Sequence, residues 1–118
     1  MCRQSVFLLA ALPAILLMAG CAGKAASVLG TTPPSGVPIA ISALKQSPAT
    51  VLVKGVMVEK CPVAGCWFML RDATGMIKVD TKAAGFVVTD VPLNTPMTVS
   101  GKLKTTGERR IAALGLQY

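Results

Sequence analysis

The chain has 118 residues, 53% of them apolar, with 12 Lys and Arg against 5 Asp and Glu, a net charge of +7, four Cys and no His. A chain of that length is expected to hold one small domain plus a tether. Without His, imidazole-built zinc and Cu(II) centres are disfavoured, and no paired carboxylates or nucleophile–base spacing can be read out, so the chain is expected not to be an enzyme.

The chain opens MCRQSVFLLAALPAILLMAGC, with one charge, Arg3, before an apolar run from Val6 to Met18 and the small pair Ala19-Gly20. A charged start, a short apolar core and a small-residue exit describe a secretory signal peptide. The run is shorter than the ~20 residues that span a bilayer, and Pro13 interrupts it. Leu17-Met18-Ala19-Gly20-Cys21 resembles the lipobox of bacterial lipoproteins. The resemblance implies that residues 1–20 are removed, that the Cys21 thiol is diacylated, and that the new amine is usually acylated too. The competing reading is an ordinary signal peptide with Cys21 incidental. Several acyl chains anchor firmly where one binds marginally, so the membrane is an expected partner. By resemblance to Gram-negative lipoproteins, Ala22 in place of Asp favours the outer membrane, facing the periplasm.

Cleavage would leave 98 residues with a side-chain charge of +6. Basic excess suits an anionic surface, but these charges are spread out and are read as aiding solubility. Lys102 with Lys104, and Arg109-Arg110, form the one local concentration. Residues 21–38 are rich in Gly, Ala, Ser, Thr and Pro, and read as a lipidated cysteine with a flexible tether. The domain is expected over 39–118, with a short helical lead-in at 39–47 stopped by Pro48.

From Thr50 the pattern is β. TVLVKGVMVEK reads as a strand whose Gly55 marks a bulge or bend. CWFMLR is a second strand, DATG a type I turn, and MIKVDTK a third strand. AAGFVVTDVPLN is irregular, with a short strand expected at 86–89. PMTVSGKLK and RRIAALGLQY complete five strands around short turns, which fits an all-β, five-stranded, OB-fold-like barrel. VLVKGVMV, FMLRDATGMIKVD and MTVSGKLK follow the order seen in bacterial exported OB-fold domains. CPVAGCWFML followed by KAAGFVV is similar to a family of periplasmic and lipoprotein OB-folds that carry a Cys, a Gly-containing loop, and Gly-Cys-Trp. Here Phe68 follows Trp67, and Val87 stands where an aromatic is usual. That family has no assigned reaction, and the resemblance implies a fold rather than an activity.

Cys61 and Cys66 flank a loop with the turn residues Pro62 and Gly65. Export favours a structural disulfide, worth ~2 kcal/mol for so short a loop, if the Cα atoms come within roughly 4.4–6.8 Å. A second reading is a soft-metal site, with Cu(I) the best fit, on the two thiolates with Met57 and Met69 as thioether ligands; ordinary core packing also explains the Met residues. The third is a thiol-redox site, against which stand the C-x4-C spacing and the lack of a predicted helix N-terminus. Two plain reduced thiols are the fourth.

Alternation sends Phe68, Leu70, Ile77 and Val79 inward, and Trp67, Met69, Arg71, Lys78 and Asp80 outward. OB-folds bind ligands across the face of the second and third strands. Trp67, Met69 and Lys78 are therefore the expected ligand face, unless a loop or the 39–47 segment covers Trp67. The function expected is a non-enzymatic binding module for an envelope protein or polymer, with a Cys61–Cys66 disulfide and no cofactor. The alternative is copper or thiol handling. Nucleic acid is not expected as a partner, because stacking aromatics are too few.

Overall fold

β-Branched and apolar residues alternate with polar ones along most of the chain, and strands form there. The computed structural model describes residues 27–118. Its strands are β1 (Val28–Gly30), β2 (Val51–Lys60), β3 (Trp67–Asp72), β4 (Gly75–Asp80), β5 (Pro96–Lys104) and β6 (Arg110–Gln117), with one 3-10 turn at Ile41–Ala43. β2, β3 and β4 make an antiparallel meander. β4 pairs in parallel with β6, β6 antiparallel with β5, and β5 antiparallel with β2. Those pairings close a five-stranded barrel of the OB type.

The core follows the alternation. Phe68, Leu70, Ile77 and Val79 are buried, as expected, and meet Val53, Met57, Val99, Ile111 and Leu116 inside. Gly55 lies where β2 passes from β5 to β3, and a Cβ there would sit 2.5 Å from the Arg71 carbonyl oxygen. The bulge itself is further on. Met57 pairs with Leu70 and Glu59 with Met69, which leaves Val58 as the extra residue. Past a bulge, the strand's remaining side chains exchange faces. Glu59 therefore turns outward, and Lys60 takes the inward side opposite Phe68.

Both barrel ends are plugged. At one end the Lys60 ammonium donates to the carbonyls of Val88, Thr89 and Val91, at 3.4, 2.9 and 2.6 Å. Val88 and Val91 are buried beneath it. The strand expected at 86–89 does not form, because this stretch crosses the barrel mouth rather than joining the sheet. At the other end Ile41 and Leu44 are buried. The expected helical lead-in shrinks there to the 3-10 turn. Asp72 Oδ2 accepts the Ile41 N–H at 2.8 Å, and Arg109 donates to the carbonyls of Ile41 and Leu44 at 3.1 and 3.5 Å.

Part of the expected tether is also sheet. β1 pairs with the end of β6, Val28 opposite Gln117 and Gly30 opposite Gly115. Ser27 and Tyr118 exchange two backbone hydrogen bonds at 2.8 and 2.9 Å. The chain then crosses so close to Gly115 that any Cβ there would collide with the Thr31 backbone.

Candidate ligand face and thiol loop

Strand pairing sets outward side chains in rows. One row runs Trp67–Asp80–Ala112–Lys102 across β3, β4, β6 and β5. The next runs Glu59–Met69–Lys78–Arg110–Lys104. Residues paired across a sheet share a face, so Trp67, Met69 and Lys78 stand together. The Lys78 ammonium lies 5.1 Å from the centroid of the Trp67 ring and 3.3 Å from Glu108 Oε1. Trp67 is half-buried. The 3-10 turn packs at the other end of β3, against Asp72, and does not cover it.

The rows reach further than the three residues picked out from the sequence. Arg110, Lys102 and Lys104 continue them onto β6 and β5. The i, i+2 spacing of Lys102 and Lys104 carried that signal, but the pairing with β6 is what aligns them with Lys78. Beside them an apolar depression of about 240 Å³ is lined by Ala83, Ala84, Ala112 and Leu114, with both lysines at its rim.

The thiols are arranged differently from expectation. Cys61 and Cys66 are free, and the expected disulfide is not formed. The Cys61 N–H donates to the Trp67 carbonyl at 3.0 Å, which sets Cys61 opposite Trp67 in the outward row. Cys66 precedes Trp67 and so belongs to the other face of the pleat. The Cys61 sulfur instead lies by the backbone N–H groups of Ala64, Val63, Gly65 and Cys66, which favour its thiolate. These outweigh desolvation and lower its pKa to about 7.

The soft-metal set does not assemble with its thioethers. Met57 is fully buried in the core, while Met69 faces outward between Glu59 and Lys78. Among the described residues, no three His, Cys, Asp or Glu side chains gather as a metal site. Cys21, with the expected signal peptide and the motif that resembles a lipobox, lies outside the described residues.

Asp72 has a role that its place in a predicted turn does not reveal. Its Oδ1 accepts from the Thr74 N–H, the Thr74 hydroxyl and the Gly75 N–H at 2.7, 2.6 and 3.0 Å. Desolvation raises its pKa, but the Thr74 hydroxyl and the N–H groups of Ile41, Thr74 and Gly75 outweigh it and hold the carboxyl below its ordinary range. Asp72 thereby fastens the barrel plug.

No protein-family model matches the chain, and no curated protein matches it. Among solved structures, the hypothetical protein ygiW from E. coli is similar, at 22% identity over 68% of this chain and 87% of that one, with a TM-score of 0.49. By its strand order and closure, the chain is a small all-β barrel of the OB type.

Proposed function

We propose that this protein is an envelope lipoprotein, anchored through acylated Cys21, whose OB barrel is a non-enzymatic binding module for an acidic protein or polymer. The observation that carries the binding reading is the joined pair of outward rows. Trp67, under Lys78, begins a surface that continues through Arg110 to Lys104 and Lys102. An aromatic anchor beside clustered cations recognises an anionic chain by stacking and charge together. The anchor reading is supported by the Leu17–Cys21 motif after a short apolar run.

Trp67 is the only tryptophan, so it reports on this face directly. Titration with poly-glutamate at low salt is expected to change its emission, and Lys102→Glu with Lys104→Glu to abolish that change. Unchanged emission in the parent protein would remove the acidic-ligand reading.

One observation favours a second reading, thiol handling. Cys61 is half-ionised near pH 7, and the thiolate is the nucleophilic form. Alkylation of Cys61 no faster than a free thiol at pH 7 would remove it. A copper site is left with the two thiolates alone.

A further inference from the structure

The pairing of β1 with β6 changes how far the barrel can stand from a membrane. A tether over 22–38 would hold it well clear. Ser27, however, is already bonded to Tyr118, and only residues 22–26 lie between it and Cys21. Fully extended, the chain from Cys21 to Ser27 spans at most ~21 Å. A barrel held on so short a leash meets the bilayer with the surface around Ser27.

That surface has the right chemistry. The outward row beginning beside Ser27 is Val28–Gln117–Thr98–Lys54, across β1, β6, β5 and β2. The Pro33–Pro38 stretch lies against it, forming a groove with Leu52, Lys54, Thr98 and Gln117. Val37, at the crest of that stretch, is 89% exposed, and Val28 is exposed too. Neither the row nor residues 28–39 contain Asp or Glu. Exposed valines and Lys54, which shares a depression with Asp72 but forms no salt bridge among the described residues, suit the headgroup layer of an anionic bilayer. Along β6, Gln117 is seven residues from Arg110, or ~23 Å at strand rise, so the basic ligand rows stand further from the membrane.

We propose that the Val28–Gln117–Thr98–Lys54 row and the Pro33–Pro38 stretch are a membrane-resting face. It binds the phospholipid headgroups beside the protein's own anchor and turns the Lys78–Arg110–Lys104 row toward the periplasm. This rests on Cys21 acylation.

The test uses full-length protein matured in cells and reconstituted into phosphatidylethanolamine–phosphatidylglycerol vesicles carrying a headgroup nitroxide. Trp67 in the parent protein is compared with the introduced indole of Val37→Trp/Trp67→Phe. The expected result is at least twofold stronger quenching of the indole at position 37. Equal or weaker quenching in protein that floats with the vesicles overturns the resting face and leaves the anchor standing. Protein that fails to float overturns the anchor and the face together. Lysine acylation, read by mass spectrometry on protein without either substitution, gives an independent measure. Lys54 should be protected at least threefold in vesicles relative to the same protein released from them by detergent, while Lys102 and Lys104 are unchanged. Equal labelling of Lys54 in the two forms counts against the face.

Discussion

Lys78 stands with its ammonium 5.1 Å from the centre of the Trp67 ring, one strand away from it in the barrel wall. The two residues lie in adjacent rows of the β3–β4 ladder, and the ammonium leans across to the ring. A cation over an indole face is worth about 0.5–1 kcal/mol at an exposed site. The Lys78–Glu108 ion pair, with its glutamate largely exposed, adds little by comparison.

Lys78→Met should therefore destabilise the barrel by about 0.5–1 kcal/mol in urea and alter Trp67 emission in the folded state. Glu108→Gln should change stability far less. A Lys78→Met protein with parental emission would show that the cation does not sit over the ring in solution.

Cys61 should alkylate with a midpoint near pH 7, because the Ala64, Val63 and Gly65 N–H groups favour its thiolate. Its lowered pKa means the folded state holds this proton less tightly than the unfolded chain. The linked stabilisation is complete above pH 9, the ordinary value of the thiol, and disappears as pH falls through 7. Rates of iodoacetamide labelling against pH, resolved by peptide mapping, check this. A midpoint near the ordinary thiol value would contradict the amide cradle.

Asp72→Ala should loosen the 3-10 plug, since it removes a charged acceptor from Ile41, Thr74 and Gly75. Hydrogen bonds to a charged group are worth about 1.5–3 kcal/mol, and a loss near 2 kcal/mol is expected. The carboxyl is held below its ordinary range. Its contribution is thus present above the unfolded carboxylate pKa, ~3.9, and is lost as pH falls through the lower folded value. Parent and variant should converge in stability at acid pH, and a constant gap down to pH 2 would contradict the assignment.

Gly115→Ala should displace β1 while the barrel stays closed, because its Cβ would occupy the Thr31 backbone position. Overpacking of this kind costs about 1–3 kcal/mol. Amide exchange should show lost protection at Ser27 and Tyr118 with protection at Phe68 and Val79 retained. Unchanged protection at Ser27 would mean that the crossing is looser than described.

The barrel was legible in the sequence because its strands alternate cleanly around a few punctuating turns. Phe68, Leu70, Ile77 and Val79 could be placed inside from period two alone. The extra residue at Val58 could not, since Gly55 is the more conspicuous irregularity and the bulge is defined only by what β3 presents opposite. β1 is three residues long, too short for a periodic signal, and exists because β6 offers it a free edge. The disulfide expectation came from spacing and export, whereas the outcome depends on register. Cys61 falls opposite Trp67, and backbone amides of the loop, not the Cys66 thiol, stand by its sulfur. Met57 and Met69 looked like companions because both lie near a cysteine in the chain, yet they face opposite sides of the wall. Trp67, Met69 and Lys78 were readable as neighbours, while their continuation to Arg110 and Lys104 needed the parallel β4–β6 pairing.

The most direct measurement on the anchored-module reading is the intact mass of the protein extracted from outer-membrane fractions. A chain that begins at Cys21 and carries a diacylglyceryl group and an amide-linked acyl chain, with Cys21→Ser protein remaining uncleaved and unacylated, is the expected result. A soluble chain with an unmodified N-terminus would contradict it, and would leave the Trp67–Lys78 face on a freely diffusing barrel.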